Sequence, residues 1–105
     1  MRVLLNVPKT AKKGEAVEIK ILISHPMESG QRRDEMGQAV PRMVIHDFVC
    51  TYNGAEVVQL ALFPAIAANP FLAFSARAED SGAFTFTWTD DSGASQTETA
   101  LIVVE

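Results

Sequence analysis

The side chains able to do covalent or metal chemistry are few: one cysteine, Cys50, and two histidines, His25 and His46. A metal site needs clustered ligands. His46 and Cys50 lie four residues apart in a strand-like run, which separates them by about 13 Å at ~3.3 Å per residue. Zn–N and Zn–S bonds are only ~2.0–2.3 Å, so the two cannot share an ion directly. A nucleophilic triad would draw on Cys50, one of the histidines and Asp47 as the orienting carboxylate. In a regular strand, however, Asp47 points to the opposite face from His46. Cys50 also stands between Phe48 and Tyr52 on a single face, the setting of a small buried hydrophobe whose thiol pKa is raised. No glycine-rich phosphate loop, nucleophile elbow or carboxylate pair is present. The expectation is a protein without catalytic residues, metal or cofactor.

Other residues are better suited to binding a protein. Arg32 and Arg33 each offer five fixed donors for a carboxylate, a chain terminus or an oxyanion; alternatively, with Asp34 and Glu35 beside them, they form a self-neutralising solvated run. Residues 25–42 have no clear period, and loops of that length inside a small domain are functional or disordered. Residues 64–72, Pro-Ala-Ile-Ala-Ala-Asn-Pro-Phe-Leu, carry no charge, so they must fold over the core or meet another protein. Residues 44–52 and 57–63 are apolar on both strand faces: Val44, Phe48, Cys50 and Tyr52 against Ile45 and Val49, then Val58, Leu60 and Leu62 against Val57, Ala61 and Phe63. One face fills a core, and the second is covered either by a partner or by the neighbouring apolar connection. The candidate interface residues are His25, Met27, Glu28, Arg32, Arg33, Val58, Leu60, Phe63, Ile66 and Phe71.

Strands must position these residues, since period-two alternation dominates and no helical period is evident. Residues 2–7, 17–23, 43–52, 56–63, 72–77, 84–89 and 97–104 read as seven strands. Asn53-Gly54 is a two-residue hairpin signal, because both positions tolerate positive φ. Lys12-Lys13-Gly14, Asp80-Ser81-Gly82 and Asp90-Asp91-Ser92-Gly93 supply further turns. Seven short strands in about a hundred residues point to an antiparallel immunoglobulin-like β-sandwich, without the Cys…Trp…Cys signature of antibody domains. A chain of 105 residues makes one domain spanning residues 1–105, and it buries roughly two-thirds of its unfolded surface.

Composition narrows the partners. With 48% hydrophobic and 21% charged residues the chain lies far from disordered sequences. A net charge of −4 argues against nucleic acid, which requires a basic stripe. No run approaches the ~18 apolar residues of a membrane span. Residues 1–45 carry net +3 and residues 46–105 net −7, either scattered over the surface or gathered as an electropositive edge for an acidic partner. The first residues lack signal-peptide architecture, which by itself suggests a cytoplasmic protein or one exported on a partner's signal.

Four strings distributed over nearly the whole chain resemble the SoxZ family: Ile23-Ser24-His25-Pro26-Met27-Glu28-Ser29-Gly30 with Arg32 close behind, Cys50-Thr51-Tyr52-Asn53-Gly54, Pro64-Ala65-Ile66-Ala67-Ala68-Asn69-Pro70, and Phe86-Thr87-Trp88-Thr89-Asp90-Asp91 followed by Gly93. The resemblance implies a non-catalytic subunit of a periplasmic thiosulfate-oxidation complex. It would form a heterodimer with a SoxY-like subunit, whose own cysteine arm carries the sulfur intermediates. Transient contact with a Sox cytochrome and with sulfate-releasing enzymes, and export with the signal-bearing partner, follow from the same resemblance. The residues alone leave another reading open, a self-pairing or adhesion-type immunoglobulin-like module.

Overall fold

A computed structural model describes residues 3–28, 30–61 and 68–105. It contains strands and no helix among these residues: β1 (Val3–Asn6), β2 (Thr10–Ala11), β3 (Ala16–Ile23), β4 (Ile45–Tyr52), β5 (Ala55–Ala61), β6 (Phe71–Arg77), β7 (Gly82–Asp90) and β8 (Ser95–Val104). They form a three-stranded sheet, β1-β3-β6, and a five-stranded sheet, β2-β8-β7-β4-β5. The immunoglobulin-like sandwich expected from alternation is therefore present, with eight strands in place of seven. The additional one is β2, whose two residues pair parallel to Val103 and Val104. Two residues are too few to show an alternation.

Period-two burial builds the core. Val17, Ile19, Ile21 and Ile23 of β3 are buried, with Glu18 and Lys20 exposed between them. On β7, Phe84, Phe86 and Trp88 are buried beside half-buried threonines. Branched and aromatic side chains suit this pleated, half-buried surface. Phe48 of β4 reaches across the sandwich to meet the ring of Phe74 on β6 edge-on, with centroids 6.3 Å apart at 67°.

Strand β4 departs from simple alternation. Ile45 pairs with Asp90 and Asp47 with Thr89, leaving His46 as the extra residue of a β-bulge. The bulge shifts the pleat, so Val44 and Ile45 are both buried although they are adjacent. A second irregularity leaves Val57 unpaired between Glu56↔Thr51 and Val58↔Cys50, and Val57 and Val58 are both half-buried. Much of the surplus hydrophobicity read on residues 44–60 thus goes into the core through bulges. Leu60, opposite Phe48, stays exposed at the sheet edge.

The hairpin signal at Asn53-Gly54 is a two-residue loop with φ of 50° and 85°. Its neighbour Tyr52 stacks on Phe84 at 4.5 Å. The Tyr52 hydroxyl accepts from the amides of Glu79 and Asp80, at 3.1 and 3.0 Å, and donates to the Asp80 carbonyl. Asn53 accepts from the Ala83 amide through Oδ1 at 2.9 Å. This close approach requires glycine at position 82, because a Cβ there would fall on the Asn53 carboxamide.

Replacing Gly82 with Ala should therefore destabilise the fold by about 1–3 kcal/mol, the usual cost of a forced overlap. Asn53→Gly in the same chain should recover most of the loss, since Gly accepts the positive φ. Urea midpoints of the single and double variants test this; equal midpoints for G82A and the unaltered protein would contradict it.

Candidate partner interface

The described residues of the stretch 25–42, aperiodic in sequence, form a β-ribbon. Its base is a clasp between two chain segments. The His25 amide donates to Asn69 Oδ1 at 3.0 Å, and the Asn69 amide returns a bond to the His25 carbonyl at 2.7 Å. The His25 ring is buried, and its Nδ1 accepts from the Met27 amide at 2.9 Å. Met27 and Asn69 have φ of 51° and 55°, a left-handed conformation uncommon for residues other than glycine. Met27 is buried and its sulfur accepts from the Ile45 amide at 3.4 Å.

Beyond the clasp the two strands of the ribbon pair through bridges at Glu28↔Met43 and Arg33↔Ala39. The Val40 amide donates to Arg32 and the Asp34 amide to Gln38. Asp34 Oδ1 closes the tip by accepting from the amides of Met36 and Gln38. Each arginine is held internally. Arg32 grips Glu28 through Nε and Nη2 at 2.7–3.0 Å, and its guanidinium holds the Glu28 carboxyl below the ordinary range. Arg33 donates to the Gly37 carbonyl. Arg42 binds Asp91 at 2.8 Å, and the same carboxylate accepts from the Val44 amide at 3.2 Å. The sequence suggested neutralisation by Asp34 and Glu35; in the structure Arg32 pairs with Glu28 one ribbon step back.

At the end of the sandwich where the ribbon begins, the outer face of the three-stranded sheet is apolar. Leu4 pairs with Leu22, and Leu22 with Phe71, placing the three in one row across β1, β3 and β6. Leu4 is 61% exposed and Phe71 58%. A groove of about 280 Å³ runs beside the row, lined in part by Asn6 and Lys20. A second of about 160 Å³ reaches Ser24 and Asn69, so the apolar row adjoins the clasp.

The candidate residues thus divide by location. His25 and Met27 lie inside the ribbon base, Glu28 is half-buried at the first bridge, and Arg32 and Arg33 are exposed along the ribbon. Val58 is half-buried, while Leu60 and Phe71 are exposed. Phe63 and Ile66 lie outside the described residues. Leu4 and Leu22 were not singled out from the sequence, because each falls within an apolar stretch of one strand and only their register with Phe71 makes a row.

Of the residues considered for chemistry, only His46 and Asp47 are seen in contact. Cys50 is fully buried in the core, and burial pushes its thiol up to about 11. His46 is half-exposed at the bulge, where its Nδ1 lies 3.3 Å from the Asp47 carboxylate; a regular strand would have put the two on opposite faces. Among the described residues no three His, Cys, Asp or Glu side chains are grouped to hold a metal ion.

The profile of the family described as sulphur oxidation protein SoxZ matches residues 5–101. A search of the curated proteins finds no match. Among solved structures, the superoxide reductase (neelaredoxin) from Ignicoccus hospitalis superimposes with a TM-score of 0.71 at 13% identity, covering 100% of this chain and 81% of that one. The sulfur carrier protein SoxY from Chlorobium limicola f thiosulfatophilum gives a TM-score of 0.68 at 12% identity, covering 98% of this chain and 78% of that one. At these identities the likeness is one of fold.

Cys50 should alkylate at pH 8 far more slowly in the native protein than in urea, because the buried thiol stays protonated; equal rates would contradict the burial. Linkage has a definite sign. The thiol pKa is higher folded than unfolded, where it is ~8.5. The stability this confers is complete below that value and is lost as pH rises from there toward about 11. Cys50→Ala should flatten the alkaline decline in melting temperature.

Proposed function

Because this chain belongs to the SoxZ family, we propose that it is the non-catalytic subunit that binds and stabilises a SoxY-type sulfur-carrier subunit in periplasmic thiosulfate oxidation, and that it helps present the carrier's cysteine arm to the Sox enzymes. The family match over residues 5–101 carries this reading. Two features support it physically. The one thiol of the chain is buried and protonated at neutral pH, whereas sulfur transfer needs an accessible thiolate. The surface displays a three-residue apolar row beside a projecting ribbon, a combination suited to contact with another protein. The covalent steps then belong to the carrier cysteine and to the cytochrome and sulfate-releasing enzymes that the pair meets transiently.

Co-expression with a SoxY-type subunit should yield a 1:1 heterodimer burying more than ~1,200 Å² in total, and Cys50→Ala should leave thiosulfate-dependent turnover of the reconstituted system unchanged. Separate elution of the two chains would sink the reading. Concentration-dependent dimers of this chain without the carrier would favour a self-pairing module instead.

A further inference from the structure

We infer that the carrier subunit seats on one end of the sandwich, with the row Leu4–Leu22–Phe71 as its apolar floor and the ribbon of residues 30–43 reaching along its side. This deepens the proposed function and rests on it: the partner is taken from that reading, and the surface is what is new.

Three observations converge. The apolar row runs across every strand of the three-stranded sheet, directly opposite in register, and is flanked by two grooves. An aromatic anchor beside aliphatic neighbours is the composition of an interface centre. The competing exposed pair, Leu101 and Val103, sits on one strand with Thr97 and Thr99 as its neighbours on the same face.

Area gives the second argument. Strands of four, eight and seven residues, ~4.8 Å apart and rising ~3.3 Å per residue, offer a face on the order of 300 Å², whereas a stable complex buries ~800 Å² on each partner. The row alone is too small. The ribbon leaves the sandwich from the same end, since Leu22, Ser24 and His25 are nearly consecutive. From Glu28 to Met36 it extends roughly 26 Å at ~3.3 Å per residue, in keeping with the 58 × 19 × 19 Å dimensions of the molecule. Residues 31–39 are all exposed, and Met36 at the tip is 83% exposed. By the same measure one face of the two-stranded ribbon adds about 250 Å², which brings the seat closer to that size.

Preorganisation is the third. A two-stranded ribbon is marginal by itself in water, yet this one has its three arginines engaged with Glu28, Gly37 and Asp91 and its base closed by the His25–Asn69 clasp. Holding a projecting element in one conformation lowers the ordering cost of binding. With the arginines held along the ribbon, recognition combines apolar contacts at the row and at Met36 with their remaining donors. The SoxY structure shares the sandwich architecture of this chain, so the occupant fitted to the row is the sheet of a second sandwich.

The test uses the full-length chain and a SoxY-type carrier. Leu4→Asp and Phe71→Asp alter exposed side chains, so circular dichroism and melting temperature should remain close to those of the unaltered protein. Each should weaken heterodimer affinity by about 30-fold or more, the range of an interface hot spot. Met36→Asp should weaken it to a smaller extent, and Leu101→Asp, on the other sheet, should not alter it. If the unaltered chain forms no complex, the proposed function itself fails. If the complex forms and L4D and F71D bind as tightly as the unaltered chain, the seat is elsewhere and only this inference falls. If L4D instead abolishes a homodimer of this chain while the carrier still binds, the row belongs to a second copy and the inference is overturned.

Discussion

Everything in this molecule depends on packing two sheets of unequal width against each other. The aliphatic stripe of β3, Val17 to Ile23, lies opposite the aromatic stripe of β4 and β7, Phe48, Phe84, Phe86 and Trp88, and both are buried almost completely. Burial of each such side chain contributes roughly 1.5–3 kcal/mol, which makes this stripe the main favourable term. It also fixes register, because a slip of one residue would turn every isoleucine of β3 to solvent. Once β3 is fixed, its odd positions face the core and its even positions face outward. Leu22 is then outward because Ile21 and Ile23 are inward. The apolar row with Leu4 and Phe71 is the residue of that constraint: hydrophobic side chains that the core cannot take.

The same constraint explains why the ribbon needs its clasp. Strands β3 and β4 belong to opposite sheets, and the chain between them must leave one layer and enter the other. His25-Pro26-Met27 turns it out of β3, and the Met27 sulfur meets the Ile45 amide at the start of β4. Asn69, just ahead of β6, closes the corner by pairing twice with the His25 backbone. Asp91 at the β7–β8 turn secures the other leg through Arg42 and the Val44 amide. Three turns distant in sequence thereby share one end of the sandwich, and the ribbon's direction is set by all of them.

This accounts for what could be read from the sequence and what could not. Alternation in β3 and β7 is unambiguous, and the Asn53-Gly54 turn is specified by two adjacent residues that tolerate positive φ, so the sandwich was legible. Strand β2 was not, because its pairing with Val103 and Val104 is parallel and only two residues long. The bulge at His46 was not, since alternation gives no sign of an extra residue, and it reversed the expected relation of His46 to Asp47. Residues 25–42 read as aperiodic because a twisted ribbon exposed on both faces has no hydrophobic period to display; its order comes from side chain–backbone bonds at His25, Asp34 and Asn69. The proposed interface was half legible: Phe71 stood out within an uncharged connection, whereas Leu4 and Leu22 acquire meaning only through pairing.

The likeness to a superoxide reductase sharpens the distinction between fold and function. A sandwich that is shared with a redox enzyme is a scaffold, and chemistry must be argued from the groups it holds. Here the thiol is sealed behind Phe48 and Phe86 in the core, the two histidines serve a ribbon corner and a bulge, and the carboxylates Glu28, Asp34 and Asp91 are engaged in shaping the ribbon. His25, Asp34 and Asp91 in particular are turned toward the chain's own backbone. That allocation is what a protein needs when its task is to hold a rigid shape for a partner, because affinity gained through a preformed surface depends on how little is left to be ordered on contact.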